Sequence, residues 1–188
     1  MTNTKFIIKL AAILFAIAFL CSLILVVCNS ITEPVIKKLQ IESENTAKAE
    51  VLSLNDGEFK NIKADGVDEA YLGYDKDGNL VGYCFKVSPS GFGGKITLMV
   101  GVDTSCKVVG VKITQMSETP GLGAKASEPD WLNKFVGKTN GINIAKGGKG
   151  GENDVDAISG ATITSKAVAN GINLSLDAAQ KLIEKEGK

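Results

Sequence analysis

The sequence predicts an α+β protein in which a single N-terminal transmembrane helix is followed by a domain with an antiparallel sheet and packed helices. Three observations support this fold class. Residues 10–28 form an uncharged apolar run, residues 69–115 contain four strand-like segments, and residues 163–183 show helical spacing of apolar side chains. We expect a transmembrane anchor (1–30), a stalk helix (31–55) and an extracytoplasmic domain (56–188).

The apolar run Leu10–Cys28 is long enough to cross a lipid bilayer. Its 19 residues span about 28 Å as a helix, close to the hydrocarbon thickness of a membrane. Lys5 and Lys9 precede the run and mixed charges follow it, which favours a cytoplasmic N-terminus. The alternative is a cleaved signal peptide, whose apolar region is usually shorter, about 7–15 residues. Bulky Val27 before Cys28 weakens a lipoprotein interpretation.

A second helix is predicted between Glu33 and Leu54, where apolar residues recur at loose helical spacing among charged ones. Pro34 fits the first turn of such a helix. We expect this segment to continue from the anchor as a stalk and then to pack on the domain.

Four strands in an antiparallel meander are predicted after the stalk. Segments 69–75 and 80–88 flank the turn sequence KDGN, which is typical of a hairpin. Segments 95–103 and 107–115 follow and are joined by a polar turn.

Helical segments are predicted in the last third of the chain. Residues 128–138 indicate a short helix with Ser127 as its cap. The glycine–lysine stretch 146–151 is interpreted as a mobile linker. Apolar residues at helical spacing then predict a long helix over 163–183 that packs on the sheet.

The composition excludes several functions. The 21 basic and 21 acidic residues balance, so no net charge attracts nucleic acid. Histidine is absent, which removes the usual general base and the commonest metal ligand. No catalytic residue and no metal site are therefore predicted. Cys84 and Cys106 are interpreted as small core residues, and a disulfide between them is left open.

The stretch DAISGATITSKAV, residues 156–168, surrounds two small residues with hydroxyl groups. One interpretation is an ordinary helix start capped by Thr162 or Thr164. The other is a phosphate site, because free N–H groups at a helix start bind anions well, and added hydroxyls and small residues favour close approach. Its candidate binding residues are Ser159, Gly160, Ala161, Thr162, Thr164, Ser165 and Lys166.

The first half of this stretch resembles a known motif. DAISGAT, residues 156–162, matches the pattern Asp-x-x-Ser/Thr-Gly-Ala-Ser/Thr, the flavinylation motif of FMN-binding domains in bacterial respiratory complexes. The resemblance implies that FMN is attached covalently to Thr162 through a phosphoester. It also implies a separate flavin transferase that takes the FMN moiety from FAD and releases AMP.

Two further stretches resemble the same family. SETPGLGAK, residues 117–125, is similar to its E-T-P-G-L-G loop, and SGFGGKI, residues 90–96, is similar to its glycine–aromatic–glycine strand entry. Glycines in the first loop let backbone approach a flavin ring, and its N–H groups (121–124) are expected to meet ring carbonyls. The alternative is a plain surface turn. The candidate cofactor-binding residues here are Glu118, Thr119, Gly121, Leu122 and Gly123.

Taken together, these stretches resemble the G subunit of Rnf-type ion-translocating ferredoxin:NAD⁺ oxidoreductases. The related C subunit of the Na⁺-pumping NADH:quinone oxidoreductase is an alternative. The resemblance implies an electron-transfer subunit in a membrane redox complex, with the complex's other subunits and a flavin transferase as partners. A tethered domain that binds a phosphate-bearing ligand reversibly, or a stalk without ligand, remain alternatives from the residues alone.

Overall fold

The computed structural model describes residues 4–54, 57–147 and 150–186. The outermost residues of the predicted anchor, stalk and domain, and the centre of the predicted linker 146–151, lie outside these ranges. The described chain forms two compact units, residues 1–42 and 43–188. The boundaries predicted at 30 and 55, and the mobility of the linker, stay predictions.

A single helix, α1 (Thr4–Val51), runs from the predicted anchor (1–30) into the predicted stalk (31–55). The described side chains of residues 6–42 are exposed, and the helix is long and apolar enough to cross a membrane. The prediction for Pro34 was wrong, because this residue lies inside α1 rather than in a first turn. Proline has no backbone N–H, so Pro34 removes one hydrogen bond from the helix, a loss that a helix of 48 residues can tolerate.

The helix α1 ends in a turn that its own backbone closes. The N–H of Leu54 donates to the carbonyl of Ala49 at 2.9 Å, and that of Ser53 donates to Glu50 at 3.1 Å. Ser53 has a φ of 53°, the left-handed conformation that such C-terminal turns require.

The sheet is a five-stranded antiparallel meander in sequence order. Its strands are β1 (Glu58–Ile62), β2 (Glu69–Tyr74), β3 (Leu80–Val87), β4 (Thr97–Asp103) and β5 (Val108–Gln115). The four predicted strands and the α+β class are confirmed. The edge strand β1 was not predicted, because its sequence EFKNI has only two apolar residues and little alternation.

The main core lies between the sheet and the last helix, α3 (Thr162–Glu186). Tyr83, Phe85 and Val87 of β3 belong to this core. The alternate residue Cys84 faces the other way and belongs to a smaller cluster with Val51 and Leu52 at the end of α1. Helices therefore cover both faces of the sheet.

Glycines let the end of α1 approach the sheet at backbone contact. A Cβ atom at Gly101 would lie 2.2 Å from the carbonyl oxygen of Val51, and one at Gly110 would lie 2.5 Å from the same atom. On another strand of the sheet, β2, a Cβ at Gly73 would lie 2.6 Å from Leu52 Cδ1. Larger residues at these positions would force α1 away from the sheet.

Ion pairs flank this contact. Lys86 Nζ lies 2.8 Å from Glu44 of α1 and 3.0 Å from Glu69 of β2. The Tyr71 hydroxyl donates a hydrogen bond to the Glu69 carboxylate, and this bond, together with the contact to Lys86, lowers the pKa of Glu69. Burial raises the pKa of Tyr71 to about 12. The depressed pKa means that Glu69 stabilises the fold above its unfolded-state pKa and loses this contribution as the pH falls.

The cysteines of the domain are free thiols. Burial raises the pKa of Cys84 to about 12, so this thiol stays protonated and serves as a small core residue. Cys106 is half-buried and its Sγ lies 3.5 Å from the carbonyl oxygen of Leu176.

The segment between β5 and α3 departs from its predicted form. The short helix α2 (Pro129–Leu132) is followed by a 3₁₀ turn, Asn133–Phe135. Ser127 does not cap α2, because its hydroxyl donates to the carbonyl of Ala124 at 2.8 Å. Two short strands that pair in parallel, β6 (Ile144–Ala145) and β7 (Val155–Asp156), were not predicted. Two-residue strands carry too little pattern to be detected from sequence.

Candidate functional site

A buried glutamate joins the three segments that the sequence analysis singled out. Glu118 Oε1 accepts hydrogen bonds from the backbone N–H groups of Phe92 at 2.8 Å and Gly93 at 3.0 Å. Glu118 Oε2 accepts a hydrogen bond from the hydroxyl of Thr164 at 2.8 Å. The carboxylate therefore fastens the loop 117–125 to the strand entry 90–96 and to the start of α3.

Small residues are required around this carboxylate. A Cβ at Gly91 would lie 2.3 Å from Glu118 Oε1, and one at Gly123 would lie 2.4 Å from Oε2. A Cβ at Gly93 would lie 2.1 Å from the carbonyl oxygen of Ser117. Both glycine-containing segments thus pack closely against Glu118 and its neighbour.

The loop after Glu118 is a tight turn. The carbonyl of Thr119 accepts hydrogen bonds from the N–H groups of Leu122 and Ala124, both at 3.2 Å. Pro120 and Gly121 are the central residues, and the φ of 77° at Gly121 is one that glycine adopts without strain. Two of the four N–H groups expected to meet a flavin, those of Leu122 and Ala124, are thus already donated within the turn.

The segment before α3 makes a second tight turn. The N–H of Ala161 donates to the carbonyl of Ile158 at 2.9 Å, and Gly160 has a φ of 76°. The Ser165 hydroxyl accepts a hydrogen bond from the N–H of Ile158 and donates one to the carbonyl of Ala161, each at 3.0 Å. Thr162 is the first residue of α3. The two threonines considered as caps lie inside the helix, so that prediction was wrong.

Trp131 is hydrogen-bonded to the segment just before this turn. Its indole N–H donates to the carbonyl of Asp156 at 2.9 Å, and its ring packs edge-on against Phe135. The side chain is buried and belongs to the main core, so Trp131 is a packing residue.

An open cavity of about 390 Å³ lies where the three segments meet. Its lining includes three exposed apolar side chains, with Phe92 70%, Ile163 55% and Leu122 46% accessible. A second, more polar groove of about 530 Å³ lies beside it, and both Gly160 and Thr162 line the two depressions. The full lining of the first cavity is Phe92, Glu118, Thr119, Leu122, Gly123, Gly160, Ala161, Thr162, Ile163 and Thr164.

The structure brings most of the predicted site residues together. Eight of the twelve line the first cavity, and Ser159 lines the groove beside it. The other three line neither depression: Gly121 is at the tip of its turn, Ser165 is fully buried, and Lys166 is exposed on α3. Phe92 and Ile163 were not on the predicted list. The signal available in the sequence for Phe92 was an aromatic residue between two glycines.

The four hydroxyl groups of the motif region differ in their surroundings. Those of Thr164 and Ser165 are buried and donate to Glu118 and to Ala161. Ser159 and Thr162 both line the polar groove, and of the two only Thr162 also lines the apolar cavity. Among these four, Thr162 is therefore the hydroxyl residue that a ligand in this cavity can reach; Thr119, outside the motif region, also lines the cavity.

We expect Glu118→Gln to destabilise the fold by about 1–2 kcal/mol, because hydrogen bonds to a charged carboxylate become bonds to a neutral amide. Urea unfolding of the detergent-solubilised chain, followed by circular dichroism, measures the change. The matched control is Glu128→Gln, at an exposed glutamate, for which a change within about 0.5 kcal/mol is expected. Equal effects of the two substitutions would show that Glu118 does not fasten the three segments.

Comparison with known proteins gives consistent matches. The family model of the FMN-binding domain matches residues 91–177. The G subunit of the Na⁺-translocating ferredoxin:NAD⁺ oxidoreductase complex of Acetobacterium woodii is 34% identical, covering 95% of this chain and 94% of that protein. The G subunit of an ion-translocating oxidoreductase complex of Methanosarcina acetivorans is 31% identical, covering 94% of this chain and 96% of that protein.

Solved structures show the same fold at lower identity. The C subunit of the Na⁺-translocating NADH-quinone reductase of Parabacteroides distasonis superimposes with a TM-score of 0.63 at 21% identity, over 79% of this chain and 95% of that chain. NqrC of Shewanella oneidensis gives a TM-score of 0.53 at 22% identity, over 68% of each chain.

Proposed function

This chain belongs to the family of G subunits of Rnf-type ion-translocating oxidoreductase complexes, and on that premise we propose that it is an electron carrier with FMN bound covalently to Thr162. The linkage is a phosphoester between the threonine oxygen and the FMN phosphate. The position of Thr162 carries the proposal, because this residue stands at the wall of the apolar cavity and at the first position of α3.

The residues around the cavity suit FMN. A flavin ring needs a flat apolar site with a few polar groups, and Phe92, Leu122 and Ile163 offer apolar surface around an opening that Thr119 and Thr162 also line. The first N–H groups of α3 precede its first helical hydrogen bond, from Ser165 to Ala161, and favour a phosphate at this end. FMN, when bound, supplies the redox chemistry, so the chain needs no general acid or base of its own.

We assign the attachment to a separate flavin transferase that uses FAD. A bond forms between the Thr162 hydroxyl oxygen and the phosphorus of the FMN moiety, the pyrophosphate P–O bond of FAD breaks, and AMP leaves with the bridging oxygen and the hydroxyl proton. The motif DAISGAT supports this assignment.

The proposed location of the domain is outside the cytoplasm, with the apolar part of α1 in the bilayer and Lys5 and Lys9 on the cytoplasmic side. A covalent link suits such a location, because a lost nucleotide is not easily replaced there. The partners are the other subunits of the redox complex, which exchange electrons with the flavin.

Production of the chain in two hosts tests the proposal. In a host that contains the transferase, we expect a band that fluoresces under ultraviolet light on a denaturing gel. In a host without it, we expect the same band without fluorescence. A fluorescent cofactor that is lost on denaturation in both hosts would instead support the alternative of a reversible binding domain.

A further inference from the structure

The groove beside the apolar cavity contains charges that the proposed function does not yet use. It is lined by Lys146, Gly147, Asp156, Ala157, Ile158, Ser159, Gly160 and Thr162. Among the described residues that line either depression, Lys146 is the only cation. Thr162 belongs to both depressions, so a group bonded to its oxygen lies at the boundary between apolar and charged surroundings.

The backbone at Lys146 is held beside the motif. Strand β6 pairs in parallel with β7, with Ala145 opposite Asp156, and the N–H of Ala157 donates to the carbonyl of Ala145 at 2.9 Å. Lys146 follows directly and is exposed, so its side chain can reach along the groove. The pairing thus fixes a lysine next to the segment that ends at Thr162.

Lys166, the lysine among the candidate phosphate-binding residues, is placed differently. It lies one helical turn after Thr162, is exposed, and lines neither depression. Although residues four apart share one face of a helix, it is Lys146 and not Lys166 that lines a depression to which Thr162 belongs.

We propose that Lys146 is the positioning residue whose ammonium group faces the phosphate of the nucleotide on Thr162. The proposal rests on the proposed function, because it needs the phosphoester at Thr162. A phosphodiester keeps one negative charge, and a lysine in the same groove is its natural charge partner. Asp156 also lines the groove, and its carboxylate repels the phosphate charge. A position of the phosphate close to Lys146 is therefore favoured.

Phosphorus NMR of the loaded, detergent-solubilised full-length chain tests this inference. We compare Lys146→Gln with Lys166→Gln, the same substitution at the two candidate lysines. We expect the phosphodiester resonance to move in Lys146→Gln and to stay in place in Lys166→Gln. A resonance that is unchanged in Lys146→Gln, or that moves equally in both variants, would overturn the proposal.

Two further outcomes keep the test decisive. If Lys146→Gln is not loaded with flavin, Lys146→Arg replaces it, because arginine keeps the charge but changes the donor group. Its resonance is expected to move relative to the parent chain, and an unchanged resonance contradicts the proposal. Absence of any phosphodiester resonance in the parent chain would instead refute the proposed attachment at Thr162.

Discussion

Replacement of Thr162 by alanine is expected to abolish covalent flavin completely while the domain still folds. The reason is geometric, because Thr162 lines the apolar cavity, whereas the hydroxyl of Thr164, which also lines it, is buried and donates to Glu118. Its side chain is only half-buried, so loss of the hydroxyl is expected to cost less than about 1 kcal/mol of stability. In-gel fluorescence and intact mass measure the flavin, and urea unfolding measures the stability.

Two variants control this experiment. Thr162→Ser keeps a hydroxyl at the same position and is expected to be loaded. Ser159→Ala removes the exposed hydroxyl of the neighbouring groove and is expected to keep at least part of the modification. Thr164 is a poor control, because its hydroxyl bonds to Glu118 and its loss disturbs the fold of the site. Undiminished flavin on the Thr162→Ala chain would end the assignment.

Gly101→Ala is expected to destabilise the domain by about 3 kcal/mol, although alanine in place of glycine usually lowers the cost of ordering the chain. The added Cβ would lie 2.2 Å from the carbonyl oxygen of Val51, and that backbone is held by the turn that closes α1. Either the end of α1 lifts from the sheet or the strand β4 shifts. The midpoint of urea unfolding measures the loss.

Gly151→Ala is the matched control for this substitution. A Cβ there would lie 3.7 Å from Asp154 Oδ2, an ordinary contact. We expect a change within about 0.5 kcal/mol. If Gly101→Ala is as mild as this control, the end of α1 does not pack on the sheet through its backbone.

The elements with strong periodicity could be predicted from the sequence. The strands β2 to β5 are short, largely apolar runs separated by turn or loop sequences, and α3 repeats its apolar side chains along one face. The edge strand β1 and the pair β6–β7 are short and expose much of their surface. Whether such segments form strands therefore depends on their tertiary pairing and not on their own sequence. The stalk was expected to continue from the anchor, but Pro34 was placed in a first turn, because a proline suggests a helix start as readily as a tolerated interruption.

The motifs gave the segments of the site but not the roles of all their residues. Glu118 was expected to contact the cofactor or to fix its loop, and its three hydrogen bonds reach segments that are 25 to 46 residues away in sequence. Such contacts depend on the fold and leave no local pattern. Lys146 was grouped with a linker for the same reason, since only the pairing of β6 with β7 places it beside Asp156 and Thr162.

Mass spectrometry of the chain purified from its natural membrane tests the central claim most directly. Cleavage after lysine yields the peptide 150–166, which contains the whole motif from Asp156 to Thr162. The account predicts that this peptide carries the mass of FMN less one water and that fragmentation places it on Thr162. A bare peptide, or FMN on a different side chain, would contradict the account.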